Sequence, residues 1–236
     1  MERLDKVLAN LGLGSRKEVK VLIKKGLIRV DDEIVKDTNK QVDPESCRLF
    51  VGDEEIRYRK YIYLMMNKPD GVISATFDDK DGTVIDLLED SHKAFDPFPV
   101  GRLDKDTVGF LLLTNDGELN HRLISPKHHV PKVYYAKVNI PLGEKDIEAF
   151  KDGIVLDDGY KSLPGQLNIL ESGSESSCTV TIYEGKYHQV KRMFNSLGGD
   201  VTYLKRLSFG KLDLDDNLGE GEYRELTEDE LEILKK

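Results

Sequence analysis

Residues 101–117 read GRLDKDTVGFLLLTNDG. A single carboxylate, Asp104, stands between Arg102 and Lys105, just ahead of a short apolar run over 108–113. A carboxylate held beside a cation stays ionised at neutral pH. That suits a nucleophile or an electrostatic stabiliser and does not suit a general acid. An ordinary surface salt bridge before a core strand would read the same way. Asp106 and Asp116 open a rival chemistry, a carboxylate pair for hydrolysis or for a divalent cation. However, residues 103–107 have the composition of a turn, and no third acidic ligand recurs at a useful spacing.

Two other segments carry chemically useful residues. Residues 185–192, GKYHQVKR, place a basic stretch at the start of a helix directly after a strand. Helix N-termini favour anions, although a capped surface helix with flanking lysines has the same pattern. Lys132-Val133-Tyr134-Tyr135 sets an aromatic behind a lysine on a strand. Such an aromatic is usually core packing, and it is also suited to stacking on a base.

Composition narrows the classes. The net charge of −9 argues against a general nucleic-acid coat, but its distribution matters more than its sum. Residues 14–29 hold six bases and one acid, 184–211 hold six bases and two acids, and 213–236 hold ten acids and three bases. Two basic islands in an acidic chain point to local anion contacts. Cys47 and Cys178 match no metal or redox spacing and read as reduced thiols of a cytosolic protein. The five histidines form no ligand set, so neither a metal nor another cofactor is expected. The longest apolar runs are far shorter than a membrane span, and the N-terminus lacks the order of a signal peptide. A cytoplasmic monomer with no membrane partner is the expectation.

The elements that must position these residues follow from periodicity. Leu4, Val7, Leu8 and Leu11 repeat at helical spacing and stop at Gly12. Ser15 opens a capping box with Glu18 and a second helix ending at Gly26. On that helix Arg16, Lys17, Lys20 and Lys24 share much of one exposed face. With Arg3 they are candidate phosphate contacts. Short strands are expected at 27–30, 33–35 and 48–51, and the charged residues 52–60 read as a linker. Beyond it, 61–68 is an extended run ending in the turn Lys68-Pro69-Asp70-Gly71, and a second extended run follows. Strands are expected at 130–140, 166–170, 178–185 and 201–214, a helix over 190–197, and a capped terminal helix from Thr227. Strands and helices mix without a βαβ rhythm, which predicts an α+β fold.

Taken together, these segments resemble the pseudouridine synthases, specifically the branch of small ribosomal subunit pseudouridine synthase A (RsuA). The resemblance rests on Met66-Asn67-Lys68-Pro69 with Gly71-Val72, on Gly101-Arg102-Leu103-Asp104 with Asp106-Thr107 and Gly109, and on Leu113 through Gly117. It continues through Ser125-Pro126-Lys127-His128-His129, Lys132 with Tyr134, and Glu184 through Met193. Residues 1–58 resemble the small RNA-binding domain shared with a ribosomal protein (the S-four, or alpha-L, domain), apart from Asp31-Asp32-Glu33 where a glycine-containing turn is common. The resemblance implies a small N-terminal α/β RNA-binding domain over 1–58. A catalytic domain on a mixed, mostly antiparallel sheet would then occupy 61–236.

It further implies that Asp104 is the essential aspartate and that Arg102 helps extrude the target nucleotide. Tyr134 would stack on the uracil, and Lys191 would pair with the carboxylate. Arg102 and Lys191 are expected to hold Asp104 ionised, and residues 111–113 to wall the detached uracil from water. The expected reaction is isomerisation of one uridine in small-subunit rRNA, free or in an assembly intermediate. A large-subunit rRNA enzyme, an inert RNA-binding assembly factor and a hydrolase are the alternatives. The acidic stretch from 213 carries no legible family pattern.

Overall fold

The computed structural model describes residues 1–56 and 58–235. The chain divides into two compact units, Met1–Ile62 with Leu88–Pro97, and Tyr63–Leu87 with Phe98–Lys236.

In the first unit, β1 (Glu2–Arg3) leads directly into α1 (Leu4–Asn10), and α2 spans Arg16–Lys24. Their apolar stripes supply Leu4, Val7, Leu8, Val19 and Ile23 to one buried core. Ser15 caps α2 as its sequence requires: its hydroxyl accepts from the Glu18 amide, and Glu18 accepts from the Ser15 amide. A four-stranded antiparallel sheet closes this core in the order β3-β2-β5-β6. Its members are β2 (Ile28–Val30), β3 (Glu33–Ile34), β5 (Leu49–Val51) and β6 (Glu54–Ile56), while β4 (Gln41–Val42) pairs with β1. Strand β6 corrects the reading of 52–60 as linker: residues 54–56 pair with β5, and their charge is that of a solvent-facing edge. Arg57, within the same stretch, lies outside the described residues. At the β2–β3 turn Asp31 adopts φ 54°, the left-handed conformation a glycine would supply, and its carboxylate accepts from the Arg48 amide. Helix α3 (Asp90–Lys93) belongs to the segment that returns to this unit.

The second unit is built on a nine-stranded mixed sheet. Its path runs β11 (Gln166–Glu171), β12 (Ser176–Ile182), β10 (Lys132–Val138), β13 (Val201–Phe209), β9 (Val108–Thr114), β7 (Tyr63–Lys68), β15 (Tyr223–Glu225). Strand β8 (Phe98–Pro99) pairs with β9, and β14 (Leu212–Asp213) with β13. All these pairs are antiparallel except β13 with β9. Every residue of β7 and β9 is buried, so these two strands form the spine of the core. At Gly109 (φ 101°) the β9 backbone runs so close to Arg206 that a Cβ would collide with its main-chain oxygen and nitrogen. Glycine is therefore what admits the parallel pairing and places Arg206.

Helices α4 (Gly117–Ile124), α5 (Glu144–Asp152), α6 (Gln189–Ser196) and α7 (Glu228–Lys235) complete the unit. The extended run expected after Gly71 forms no strand, only an isolated bridge between Ile73 and Thr83. The acidic stretch from 213 is folded: β15 pairs with β7, and Arg224 joins Asp215 (2.6 Å) and Glu230 (2.7 Å). The terminal helix was legible from its cap, but β15 was not, because a three-residue strand is masked within 24 residues that hold ten acids. No helix among the described residues is long and apolar enough to cross a membrane.

Candidate active site

Asp104 sits on the turn between β8 and β9, and the surrounding backbone is fastened at several points. The Thr107 amide donates to Asp104 O (3.1 Å), closing the turn. One residue before the aspartate, Leu103 donates through its amide to Ser74 Oγ and accepts from the same hydroxyl, both at 3.0 Å. On the far side the fully buried Lys68 donates to the carbonyls of Pro69 (3.0 Å), Lys105 (3.1 Å) and Thr107 (2.9 Å). Burial pushes the Lys68 ammonium down to about 8, against the opposing pull of Asp70, Asp106 and Asp104. A turn pinned this way holds its carboxylate without further reorganisation.

The cations around Asp104 differ from those adjacent to it in sequence. Lys191 on α6 places Nζ 3.4 Å from Asp104 Oδ2 and 2.5 Å from Asp106 Oδ1. Burial disfavours ionisation of Asp106, but the hydrogen bond and charge of Lys191 outweigh it and hold that carboxyl below its ordinary value. His188 Nε2 lies 3.4 Å from Asp104 Oδ1. Lys105 turns away to Asp81 (2.6 Å). Arg102 is exposed, lines the cleft, and has no ion-pair or hydrogen-bond partner among the described residues. The expectation that Arg102 sits against Asp104 is thus corrected, since sequence neighbours on a tight turn diverge; Lys191, expected there as well, lies beside the carboxylate, and His188 joins it.

The position of His188 is locally determined. Glu184, itself buried, accepts from the Leu163 amide (2.9 Å), Gln189 Nε2 (2.7 Å) and the Tyr160 hydroxyl (2.6 Å). Gln189 in turn accepts from the Lys186 amide (2.9 Å). This network shapes the turn so that His188 takes φ 49° at the start of α6, with its ring stacked on Tyr187 at 3.8 Å.

Asp104, Arg102 and Tyr134 line a common cleft of about 680 Å³ together with Lys132, His188 and Arg206. That volume lies within the range of ligand clefts, about 300–1,000 Å³. Tyr134 lies in β10, opposite Arg206 in β13, and is buried except for the face it turns to the cleft. Apolar lining comes from Ile73, Leu103, Ile124 and Phe209. Residues 111–113, expected to wall the pocket, pair instead with β7 in the core. Full burial on both faces of β9 takes them away from the cleft surface. Lys132 is buried, donates to Val130 O (2.8 Å), and burial together with the charge of Arg206 pushes it down to about 8. His188 and Lys132 were within recognised motifs without being singled out; Lys68 was named for its turn; Arg206 and Ser74 carried no local pattern that marks a site.

In the first unit, Arg3, Arg16 and Lys20 converge on the fully buried carboxylate of Asp5 at 3.0, 3.3 and 3.6 Å. Burial opposes ionisation of Asp5, but the hydrogen bonds from Arg3 and Arg16 outweigh it and hold the group below its ordinary value. Arg3 also donates to Asn39 (2.6 Å). Lys17 and Lys24 are exposed on α2. Among the described residues, no three or more His, Cys, Asp or Glu side chains are grouped to hold a metal ion.

Comparison with known proteins matches residues 62–196 to the RNA pseudouridylate synthase family and residues 2–46 to the S4 domain. An uncharacterised RNA pseudouridine synthase of Bacillus subtilis is 52% identical over 99% of this chain and 98% of its own. The ribosomal small subunit pseudouridine synthase A of Vibrio cholerae is 41% identical over 99% of this chain and 100% of its own. The ribosomal large subunit pseudouridine synthase B of Bacillus subtilis is 36% identical over 100% of this chain and 96% of its own. A crystal structure of a pseudouridylate synthase superposes with a TM-score of 0.69 at 36% identity, over 99% of this chain and 100% of that one.

Proposed function

The chain belongs to the RNA pseudouridylate synthase family, in its RsuA group, and isomerises uridine in RNA to pseudouridine; from that premise we propose that its target is one uridine of small-subunit rRNA and that Asp104 carries the chemistry. The single observation supporting the residue assignment is the placement of Asp104 in the cleft with Lys191 and His188 each 3.4 Å from one of its oxygens. Tyr134 lines the same cleft.

The reaction breaks the N1–C1′ bond, turns the uracil, and joins C5 to C1′. It requires no hydride and no phosphate transfer. The target nucleotide leaves its stack to reach the pocket, at a cost of a few kcal/mol that stacking on Tyr134 offsets in part. Arg102, exposed at the cleft, is placed to meet the displaced backbone or fill the vacated space. The carboxylate of Asp104 then attacks C1′, adds at C6, or removes a sugar proton to give a glycal. All three routes use the carboxylate as an anion, and Lys191, 3.4 Å from it, is the cation beside that charge. Arg3, Arg16, Lys17, Lys20 and Lys24 are proposed to contact RNA phosphates, with residues 1–58 acting as the recognition unit and 61–236 as the catalytic one.

The small-subunit assignment draws on the 41% identity to the Vibrio cholerae enzyme. A large-subunit rRNA target is the second reading, favoured by the 36% identity to the Bacillus subtilis enzyme of that name. Tritium release from rRNA labelled at uridine C5 separates them, because C5 loses its hydrogen when it bonds to C1′. Wild type and Asp104→Asn are compared on small- and large-subunit rRNA separately, without added metal. Release by wild type alone from small-subunit RNA alone is the expected result. Release only from large-subunit RNA overturns the target, and undiminished release by Asp104→Asn overturns the role of Asp104.

A further inference from the structure

Two cations line the candidate uridine cleft with no carboxylate at ion-pair distance among the described residues, although Glu184 of the same cleft acts on Lys132 from further away. Arg206 is only 2% exposed, yet it lines that cleft. Its Nε donates to Phe110 O (2.8 Å), while Nη1 and Nη2 find no hydrogen-bond partner among the described residues, and Nη2 is fully enclosed. Lys132 spends one donor on Val130 O (2.8 Å). The two flank one aromatic ring, with the Lys132 ammonium 5.4 Å and the Arg206 guanidinium 5.1 Å from the centre of Phe209. The other cleft cations are accounted for differently: Lys105 is paired with Asp81, Lys186 lies over Tyr160, and Arg102 is exposed. Buried charge with unspent donors is costly to a fold, and a cleft floor that keeps two such groups is built for an electron-rich occupant.

We propose that Arg206, with Lys132 beside it, binds the carbonyl edge of the target uracil and stabilises the base after it detaches. This deepens the proposed function and rests on the cleft of Asp104 being the uridine site. Register supplies the geometry: Tyr134 and Arg206 are direct partners across β10 and β13, so their side chains stand on the same face of the sheet. A ring stacked on Tyr134 therefore has the guanidinium at its margin.

When the N1–C1′ bond breaks, its electron pair stays with the uracil and spreads onto O2 and O4. Hydrogen-bond donors already aimed at those oxygens stabilise that charge without rearranging. Turning the ring about its N3–C6 axis exchanges N1 with C5 and O2 with O4. A donor placed at one carbonyl thus meets an acceptor before and after the turn, so the base is held while it rotates. The pair then forms the C5–C1′ bond, the C5 proton passes to water, and N1 takes a proton from water. No oxidant, reductant or co-reactant enters. The same donors face the amino group of a cytosine with a second donor, which excludes that base.

The test uses single-turnover rates of the full-length chain and of Arg206→Gln and Arg206→Lys, with RNA affinity and thermal unfolding measured alongside. Rates are taken on whichever rRNA the wild type turns over, so failure of the small-subunit assignment and failure of this one read out separately. Arg206→Gln is expected to lose about 100-fold or more in rate with affinity changed less than about threefold and an unchanged salt slope, and Arg206→Lys to recover part of the rate. A structural role would slow all substrates alike. With 5-fluorouridine at the target, whose base leaves more readily, loss of the parent N-nucleoside, followed by chromatography of nuclease digests, should show at least a tenfold smaller deficit for Arg206→Gln. An equal deficit on both substrates, or a wild-type rate in Arg206→Gln, overturns the proposal. So does a loss confined to affinity with a shallower salt slope, which would mark a phosphate contact. If Arg206→Gln does not fold, wild type is run on RNA whose target base lacks the C4 oxygen or has sulfur for the C2 oxygen. At least a tenfold loss on one of them is expected, and undiminished turnover of both refutes the assignment.

Discussion

Replacing Lys68 by Met tests whether the buried ammonium is what holds the turn of Asp104. At neutral pH the ammonium donates to three carbonyls, those of Pro69, Lys105 and Thr107, over 2.9–3.1 Å. Stranding them costs roughly 1–3 kcal/mol each. The lower end, about 1 kcal/mol each, applies to Pro69 and Lys105, whose carbonyls are only partly buried and can turn to water, and the upper end, about 3 kcal/mol, to the buried Thr107 carbonyl, so the loss sums to about 5 kcal/mol. Against that stands the relief of no longer burying a charge. The fall of the Lys68 pKa from 10.5 to about 8 corresponds to about 3 kcal/mol against the charged form. The hydrogen bonds win, and Lys68→Met should lose about 1–3 kcal/mol of stability. Urea unfolding at pH 7 reads this number, and the midpoint should fall with no change in slope.

The pH dependence has a definite sign. Between about 8 and 10.5 the unfolded Lys68 holds a proton that the folded one has released, so its contribution to stability rises with pH across that window. The stability gap between wild type and Lys68→Met should therefore widen from pH 8 to pH 10.5, because Lys132, which is also pushed down to about 8, is present in both proteins and cancels from the difference. Catalysis should fall more steeply than stability, because a loosened turn displaces Asp104 while RNA affinity is retained. A variant as stable as wild type, a gap that narrows as pH rises, or undiminished turnover would each refute this account of Lys68.

Lys191→Met should leave Asp104 facing only His188 and slow single-turnover isomerisation by about 100-fold or more, whereas Asp106→Asn, which removes only the outer partner of Lys191, should cost less than about tenfold; tritium release measures both. Asp5→Asn should release Arg3, Arg16 and Lys20 from their common anchor and weaken RNA binding in a filter assay without touching kcat. Because Asp5 titrates below its ordinary 3.8 when folded, its contribution is present above that pH and is lost as pH falls through the folded value; the variant should flatten the acid limb of thermal unfolding. Five phosphate contacts from Arg3, Arg16, Lys17, Lys20 and Lys24 predict a log–log salt slope of about −3 to −5, and a slope near −9 would contradict that set.

How much was legible beforehand varied with the range of the interaction. The capping box at Ser15, the stripe from Leu4 to Leu11 and the glycine stops are local patterns, and each appears where the sequence places it. The family motifs around Asp104 and Tyr134 were equally readable, because their residue types and spacing are chemically constrained. Short or flat patterns failed: β6 and β15 have three residues each, too few for a period to emerge from their charges. The run after Gly71 looked extended and formed only a bridge, since nothing in its own sequence reveals whether a partner strand is free.

Sequence alone determined the family and the two helices that open the chain, and it singled out Asp104, the carboxylate proposed to carry the chemistry. Lys191 was expected beside it from the motif that it belongs to; tertiary structure decided that His188 joins it and that Arg102 and Lys105 do not. Arg102 and Lys105 flank Asp104 along the chain but do not pair with it, because successive side chains on a turn diverge, while Lys191 and His188 arrive from the start of α6, more than eighty positions away. The same holds for Lys68, two of whose three acceptors, Lys105 and Thr107, lie on a loop carried by another strand, and for Arg206, brought beside Tyr134 by strand register and by the closeness that Gly109 permits. An ion pair depends on distances of a few ångströms, and in this chain those distances are set by a nine-stranded sheet whose neighbours are mostly remote in sequence.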